Sequence, residues 1–362
     1  PIIKDLKTFK NIEVKVILSE VHFSKKFGST YKDIEDKTLI LSNPKKKQVS
    51  INTLSREIDY LMKLFRNKKP DLLIVFGDRY DMLAAPVAAI NFNIPIIHFY
   101  GGAITHYAID ELSRHAISKM SHFHFVALNE YKKNLIQMGE NRKRIHVIGV
   151  PEIQDLKKQK KLTKKELIKE INFDFMENTI LVTFHPVTLQ LKDIKYQIKN
   201  LLNSIKQLDV KAIFTYPNID RKHNYIINQL KRFVKNNKKK YLLIKKLDSL
   251  ILANILRNVV CVVGNSSIGI VEAASFKLPT VNIGNRQKGK FESDNIINCK
   301  YDTKSILASI KKAIELNNKN AYKKLVNPYD KKISLQKISK KIISLASKRD
   351  LTFKKFSKIK FK

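Results

Sequence analysis

Residues 259–272 read Val-Val-Cys-Val-Val-Gly-Asn-Ser-Ser-Ile-Gly-Ile-Val-Glu. Five apolar residues end at Gly264, and a helical pattern opens at about Ile268. This order predicts a buried strand, a turn of small residues and a helix N-terminus. The first N–H groups of a helix are unpaired and carry roughly half a positive charge, so they bind anions. The stretch therefore predicts an anion site on a parallel α/β sheet.

The side chains around this turn extend the predicted site toward a nucleotide. The hydroxyls of Ser266 and Ser267 can donate hydrogen bonds to phosphate oxygens. The carboxylate of Glu272 can accept hydrogen bonds from ribose hydroxyls, as the acid of a nucleotide-binding fold does. We therefore expect a nucleotide diphosphate here. The alternative interpretation is an ordinary strand–turn–helix in which serine caps the helix.

Short apolar runs alternate with helical patterns along the whole chain, which is typical of parallel βαβ units. The 362 residues, 43% of them hydrophobic, suffice for two domains. We expect an α/β fold of two Rossmann-like domains with parallel sheets facing a central cleft. The expected domains are 1–156 and 157–330, followed by a C-terminal helix and basic tail over 331–362 that packs back on the N-terminal domain. Strands are predicted at 12–18, 71–76, 95–99, 122–127, 145–149, 179–184, 211–216, 242–245, 259–263 and 279–283.

The chain opens with Pro1, which favours a short helix before the strand predicted at 12–18. A parallel α/β domain normally begins with a strand. We therefore expect that the first strand of the N-terminal domain precedes this chain and is missing from it. A second helix start is predicted at Thr163, because Glu166 three residues later completes a capping box.

Composition narrows the class of protein. Cys261 and Cys299 are the two cysteines, which favours a reducing cytoplasm over a disulfide framework. The sequence contains no apolar run near the roughly 20 residues that span a bilayer. The net charge of +38 suggests nucleic acid, but the lysines are spread from end to end and tryptophan is absent. We therefore expect a lysine-rich solvated surface, with neither nucleic acid nor membrane as a partner.

Two groups of polar residues follow strands predicted in the first half. Asp78 and Arg79 come directly after 71–76, where ligands of an open α/β sheet bind. Gly101 and Gly102 follow 95–99 and permit positive φ and close approach of a ligand. Further on, Asp110 and Arg114 are four residues apart, so they lie on one helix face. A capping Asp78 and a surface pair of Asp110 with Arg114 are the alternatives.

Two more groups follow strands of the second half. His185 stands at the end of 179–184 and can act as a general acid or base, or donate to a phosphate. Arg286 follows 279–283 and can reach the nucleotide phosphates. The histidines and acids lack metal-ligand spacing, so we expect no metal site.

Together these segments resemble the hydrolysing UDP-N-acetylglucosamine 2-epimerases of bacterial sialic acid synthesis, over about residues 1 to 345. A related group with the same motifs acts on UDP-2,4-diacetamido-trideoxyhexose in the legionaminic acid pathway. The motifs that carry the resemblance are Gly77-Asp78-Arg79, Gly101-Gly102, Ile109-Asp110-Glu111 with Arg114-His115-Ala116-Ile117, His185-Pro186-Val187-Thr188, Gly264-Asn265-Ser266-Ser267, and Asn282-Ile283-Gly284 with Arg286-Gln287-Lys288-Gly289.

The resemblance implies the fold of the B-type glycosyltransferases and a reaction without nicotinamide or metal. The family removes the C2 proton of the sugar, expels UDP by anti elimination, and hydrates the glycal to N-acetylmannosamine. The implied catalytic residues are Asp78, Asp110, Arg114 and His185, with Asp110 or Asp78 as the base. The implied substrate-binding residues are His22, Arg79, Gly102, Asn265, Ser266, Ser267, Gly269, Glu272 and Arg286. A cytoplasmic homodimer or other homo-oligomer is also implied.

The chain departs from the family pattern at Tyr100 and Ala103, where many relatives carry an acid at one or both positions. A changed sugar preference or weakened activity is therefore one expectation. Three other hypotheses stay open at this point. They are a B-type glycosyltransferase that needs an acceptor, a basic nucleic-acid-binding protein, and a fragment that binds UDP without turnover.

Overall fold

The computed structural model describes residues 1–19, 22, 38–40, 53–175, 178–348 and 351–358. Its helices are α1 Ile2–Leu6, α2 Thr53–Asn67, α3 Ala84–Ile90, α4 Asp110–Met120, α5 Asn129–Gln137, α6 Pro151–Lys158, α7 Lys164–Ile171, α8 Ile194–Lys206, α9 His223–Lys235, α10 Ser249–Asn258, α11 Ser267–Val271, α12 Thr303–Asn318 and α13 Leu335–Ala346. Its strands are β1 Val16–Leu18, β2 Thr38–Ile40, β3 Leu73–Phe76, β4 Ile96–Phe99, β5 Phe123–Val126, β6 Ile145–Val147, β7 Thr179–Thr183, β8 Lys211–Thr215, β9 Tyr241–Ile244, β10 Cys261–Gly264, β11 Thr280–Ile283 and β12 Ile296–Cys299.

The chain divides into two compact units. Unit 1 contains residues 1–103, 109–151 and 331–362, and unit 2 contains residues 104–108 and 152–330. All strand pairs given above are parallel, in a sheet β1-β2 and a sheet β3-β4-β5-β6 in unit 1, and a sheet β12-β11-β10-β7-β8-β9 in unit 2. The predicted fold of two parallel α/β units is therefore confirmed.

In unit 1 the strand residues alternate between two covered faces of the larger sheet. Ile97 and Phe99 of β4 pack in one cluster with residues of α1 and α13, whereas Ile96 packs in another with residues of α2 and α3. Because both faces are covered, the strands are mostly apolar, although β4, β5 and β6 each contain one histidine. Each fully buried Ile or Phe contributes about 1.5–3 kcal/mol.

In unit 2 the same alternation builds a doubly wound sheet. Ile180 and Val182 of β7 pack beneath α8, α9 and α12, and Leu181 packs on the other side with residues of α7 and α10. The chain runs from β7 outward to β8 and β9, and then from β10 outward to β11 and β12. The order therefore reverses between β7 and β10, and the ends of these two strands are where an open α/β sheet binds its ligand.

Ten strands match the predicted ones within a few residues, and the capping box at Thr163 is present. The first is shorter than predicted, because β1 covers Val16–Leu18 rather than 12–18. The sequence reading missed β2 and β12. β12 is as long as the predicted β4, but Asn298 interrupts its apolar residues and it lies at an edge of its sheet.

Candidate active site

In unit 1, Arg114 lies at the centre of an ion-pair cluster. Its Nε and Nη2 donate to Oδ2 of Asp78 at 2.8 and 2.5 Å, and its Nη1 donates to Oε2 of Glu111 at 2.6 Å and to the carbonyl of Ala103 at 2.9 Å. The residue is only 1% exposed. Burial opposes the charge of the guanidinium, but Asp78 and Glu111 outweigh it and raise the pKa of Arg114. The cluster is therefore charged and held in one geometry by complementary hydrogen bonds.

The cluster differs from the pair that the sequence spacing favoured. Asp110 begins α4 and is partly buried, and the acids that bind Arg114 in the contacts above are Glu111 and Asp78. Glu111 also contacts Nε2 of His115 at 2.9 Å. The i,i+3 pair to Glu111 comes from the helix, and the contact with Asp78 comes from the turn after β3.

Arg79 and His22 lie beside a second acid of unit 1. Nε of Arg79 donates to Asp81 at 3.0 Å, and the Arg79 side chain is 43% exposed. Asp81 also accepts a hydrogen bond from Ser19 at 2.7 Å. Burial lowers the pKa of His22, and the positive charge of Arg79 lowers it further. An exposed guanidinium beside a neutral imidazole is suited to bind an anionic group.

Of the two glycines after β4, Gly102 has the positive φ that the sequence predicted, and packing restricts both positions. A Cβ on Gly101 would lie 2.7 Å from both Nδ1 of His98 and Oγ of Ser118. A Cβ on Gly102, where φ is +77°, would lie 2.3 Å from the carbonyl of Tyr131. The protein's own packing therefore requires both glycines. Tyr100 also has a positive φ of 69°, so the turn is strained at a residue other than glycine.

In unit 2, His185 and Asn265 join the ends of β7 and β10. The side-chain amide of Asn265 accepts from the N–H of His185 at 2.7 Å and donates to its carbonyl at 2.9 Å. Nδ1 of His185 accepts from the N–H of Asn218 at 2.9 Å. Burial, and then the charge of Arg286, lower the pKa of His185 well below its usual value. The ring is therefore neutral with its proton on Nε2, and it can donate a hydrogen bond there.

The backbone carbonyl of Asn265 holds the turn after β11. It accepts a hydrogen bond from Nε2 of Gln287 at 2.8 Å and another from Nη1 of Arg286 at 3.2 Å. Nη2 of Arg286 also lies 3.9 Å from Oδ2 of Asp220. Arg286 and His185 are thus brought together through Asn265, which follows β10, the strand between β7 and β11.

Residues 259–272 form a strand, a serine cap and a short helix. Ser266 is the N-cap of α11, with its Oγ accepting from the N–H of Ile268 at 3.4 Å, and Ser267 is the first helical residue. The helix has five residues, so its macrodipole is weaker than that of a long helix. A Cβ on Gly269 would lie 2.5 Å from Thr280 of β11, so this glycine allows the helix to approach the sheet.

Glu272 directly follows α11 and has an unusual environment. Among the residues that the structure describes, none forms a hydrogen bond with its buried Oε2. Burial raises the pKa of the carboxyl to about 7, although the charge of Lys290 opposes this. A buried carboxylate oxygen with unused acceptor capacity is suited to a ligand that brings hydroxyl donors.

The model of the family described as UDP-N-acetylglucosamine 2-epimerase matches residues 4–343 of the chain. The chain belongs to this family. The enzyme class expected from the motifs, a hydrolysing UDP-sugar 2-epimerase, is confirmed by this match and by the relatives named below.

Among curated proteins, the chain is 35% identical to the GDP/UDP-N,N'-diacetylbacillosamine 2-epimerase (hydrolyzing) of Campylobacter jejuni, over 81% of this chain and 78% of that protein. It is 31% identical to the UDP-N,N'-diacetylbacillosamine 2-epimerase (hydrolyzing) of Legionella pneumophila, over 86% and 84%. It is 29% identical to the UDP-N-acetylglucosamine 2-epimerase of Neisseria meningitidis serogroup B, over 87% and 84%.

The fold of the family is shared with solved structures. The UDP-GlcNAc 2-epimerase of Neisseria meningitidis, bound to UDP-GlcNAc, superposes with a TM-score of 0.77 at 21% identity, covering 95% of this chain and 94% of that one. The enzyme of Methanocaldococcus jannaschii in complex with UDP-GlcNAc and UDP gives the same TM-score at 17% identity, covering 95% of each chain. None of the helices in the described ranges is long and apolar enough to cross a membrane.

The sequence analysis assigned no role to several residues of this family member's candidate site. Glu111 and His98 contact the groups around Asp78, and Asn218, Asp220 and Gln287 surround His185 and Arg286. Glu111 belongs to the quoted motif Ile109-Asp110-Glu111, and its i,i+3 spacing from Arg114 is a second signal, because a buried arginine requires a nearby acid. Asn218 contributes a backbone N–H, which any residue except proline has, so the sequence gives no signal for it.

Proposed function

We propose that this enzyme hydrolyses and epimerises a UDP-linked 2-acetamido sugar, releasing UDP and the free 2-epimer. The observation that carries this proposal is the family match over residues 4–343, which includes both groups of polar residues described above. For UDP-GlcNAc the products are UDP and N-acetylmannosamine, which would feed synthesis of a sialic-type acid.

In this proposal the residues of unit 2 bind UDP. Ser266, Ser267 and Arg286 donate to the diphosphate, and Glu272 accepts from the ribose hydroxyls. The neutral Nε2–H of His185 donates to an oxygen of the leaving group. Support comes from the geometry within unit 2, where Asn265 joins the turns that carry Ser266, His185 and Arg286. Fixed donors of this kind stabilise the charge that develops on the diphosphate as the C1–O bond breaks.

The acids of unit 1 act on the sugar in this proposal. Asp110 or Asp78 removes the C2 proton, the electron pair forms the C1–C2 double bond, and UDP leaves with the electrons of the C1–O bond. Water then adds across the glycal, with its hydroxyl on C1 and a proton on C2. Arg114 holds Asp78 in place through two hydrogen bonds to Oδ2, so that Oδ1 has a fixed direction.

His185 has a narrower role here than the sequence suggested. A general base must have a free lone pair, but Nδ1 already accepts from Asn218 and Nε2 carries the proton. The depressed pKa also disfavours an imidazolium acid. Donation from Nε2 to the phosphate is the function that this environment supports.

The finer question is which sugar the enzyme takes. The relatives at 35% and 31% identity are named for diacetylbacillosamine, and the relative at 29% is named for N-acetylglucosamine. We propose both UDP-GlcNAc and UDP-N,N'-diacetylbacillosamine as substrates to be compared directly. The sugar with the larger kcat/KM identifies the physiological class.

The deciding experiment incubates the enzyme with each UDP-sugar in heavy water. We expect release of UDP and one deuterium at C2 of the free 2-epimer. Release of UDP only after an acceptor is added, with hydrogen retained at C2, would indicate a glycosyltransferase. Binding of UDP without release from either sugar would refute the proposed activity.

We also propose a cytoplasmic location and a homodimer. Cys261 and Cys299 are both free thiols, as expected in a reducing compartment. Sedimentation of the purified enzyme would test the assembly, with a single species at twice the mass of the chain as the expected result.

A further inference from the structure

A fully buried histidine connects two elements of unit 1. His98 lies on β4, with Nε2 at 2.9 Å from the carbonyl of Gly77 and Nδ1 at 3.0 Å from Oγ of Ser118. A carbonyl only accepts, so Nε2 carries the proton, and Nδ1 accepts from the hydroxyl of Ser118. Burial lowers the pKa of His98 to about 3, which keeps the ring neutral in this tautomer.

The two partners of His98 lie next to the Asp78–Arg114 ion pair. Gly77 immediately precedes Asp78 in the turn after β3, and Ser118 follows Arg114 by four residues on α4. Positions four apart lie on the same face of a helix, so the face of α4 that presents Arg114 also presents Ser118. The imidazole therefore joins the turn of Asp78 to the helix of Arg114.

The surrounding backbone leaves this turn little freedom. The N–H of Gly77 donates to the carbonyl of Phe99 at 3.2 Å, so both backbone groups of Gly77 are bonded. Its φ of +81° is one that residues with a side chain rarely adopt. Gly101 packs directly on the His98–Ser118 contact, where a Cβ would lie 2.7 Å from each partner. A larger residue at 101 would displace His98 or Ser118.

We propose that His98 is a positioning residue, which holds the turn of Asp78 against α4 so that the Asp78 carboxylate stays in register with Arg114 during the elimination. The inference rests on the proposed function, because the turnover readout requires a UDP-sugar substrate. His98 acts through the Gly77 carbonyl and is not assigned contact with the sugar.

Two variants separate the bond to Gly77 from the bond to Ser118. In His98→Gln the amide nitrogen can occupy the place of Nε2 and still donate to Gly77. In His98→Asn the shorter side chain reaches only the place of Nδ1, so the Gly77 carbonyl loses its donor. We expect His98→Asn to lower kcat at least tenfold with KM within twofold, because misplacement of a reacting group by about 1 Å can reduce the rate 100-fold. We expect His98→Gln to retain kcat within threefold.

Both variants remove part of the same ring, so they control for a general loss of packing. If kcat falls equally in both variants, in proportion to their loss of melting temperature, then His98 only fills space in the core. This result would overturn the inference. An unchanged kcat in His98→Asn would overturn it as well. If His98→Asn does not fold, Ser118→Ala replaces it. This variant frees Nδ1 to take the proton, and kcat should fall severalfold without a change in KM.

A spectroscopic readout separates this inference from the proposed function. Absence of turnover by the wild-type enzyme would refute the proposed function. The ¹⁵N shifts of the His98 ring in the wild-type enzyme test the geometry independently. We expect the neutral Nε2–H tautomer from pH 5 to 8, and an Nδ1–H or charged ring would overturn the inference even if the enzyme is active.

Discussion

Replacement of Glu272 by glutamine should stabilise the ligand-free protein while it weakens UDP binding. Burial raises the pKa of Glu272 from 4.5 to about 7, so the folded state binds this proton more tightly than the unfolded chain. The carboxyl therefore reduces stability as the pH rises from about 4.5 through 7, and the loss is complete above 7. Because one pKa unit corresponds to about 1.36 kcal/mol, the rise from 4.5 to about 7 corresponds to roughly 3 kcal/mol.

The stability difference between Glu272→Gln and wild type should therefore depend on pH. Near pH 4.5 the two proteins should differ little, and at pH 8 the variant should be more stable by up to about 3 kcal/mol. For a unit of this size, about 1 kcal/mol raises the melting temperature by roughly 2–4 °C. Thermal unfolding of both ligand-free proteins at several pH values measures this difference in stability. The buried histidines titrate in both proteins, so their contribution cancels in the difference.

Ligand binding should show the opposite effect of the same change. Ribose hydroxyls donate to the ionised carboxylate, and a hydrogen bond to a charged group contributes about 1.5–3 kcal/mol. UDP affinity should fall at least tenfold in Glu272→Gln, as measured by calorimetry at pH 8. In the wild type, UDP affinity should decrease below pH 7, since bound UDP favours the ionised form. The variant should lack the part of this dependence that Glu272 contributes and keep the part that comes from the terminal phosphate of UDP, whose second pKa is about 6.

The matched control is Glu170→Gln, which changes an exposed glutamate of α7 in the same unit. It should alter neither the melting temperature nor UDP affinity. A stability difference between Glu272→Gln and wild type that stays the same between pH 4.5 and 8 would refute the buried-charge argument. Unchanged UDP affinity with the expected gain in stability would instead remove Glu272 from the ribose site.

Three further changes test other parts of the site. Asp110→Asn should lower kcat at least 100-fold in the UDP-release assay while the UDP affinity stays within twofold, because a general base contributes about 10²–10⁴; retained turnover would leave Asp78 as the base. Ser267→Ala should weaken UDP binding about tenfold by calorimetry, and normal affinity would remove its hydroxyl from the phosphate site. Gly101→Ala should destabilise the protein by about 1–3 kcal/mol in denaturant unfolding, because its methyl group overlaps the His98–Ser118 contact; wild-type stability would contradict that packing.

The sequence predicted the fold well because both units follow one rule. Apolar runs covered on both faces, each followed by a glycine or a polar turn, identify parallel strands and their carboxyl ends. His185, Ser266 and Arg286 each follow such a run, and the order of β7, β10 and β11 in the sheet brings them together. Predicting that the ends of neighbouring parallel strands lie close together requires no knowledge of side-chain geometry.

The partners of Arg114 could not be predicted in the same way. Helical spacing allowed acids at both i−4 and i−3, and the contact with Asp78 joins residues 36 positions apart. The local sequence pattern does not indicate which side chain of a turn contacts a residue on a neighbouring helix. The glycines after β4 have the same limitation, because the atoms that exclude a side chain at Gly101 belong to His98 and Ser118.

The side chain and the carbonyl of Asn265 form hydrogen bonds within the protein itself. The motif Gly-Asn-Ser-Ser suggested that Asn265 binds the substrate, yet its amide oxygen and nitrogen are used by the backbone of His185 and its carbonyl by Gln287 and Arg286. A buried amide that lost these partners to a ligand would leave polar groups unsatisfied, at a cost of about 1–3 kcal/mol each. Asn265 is therefore better suited to position the neighbouring donors than to donate to the ligand itself. It follows β10, where the strand order of the sheet reverses.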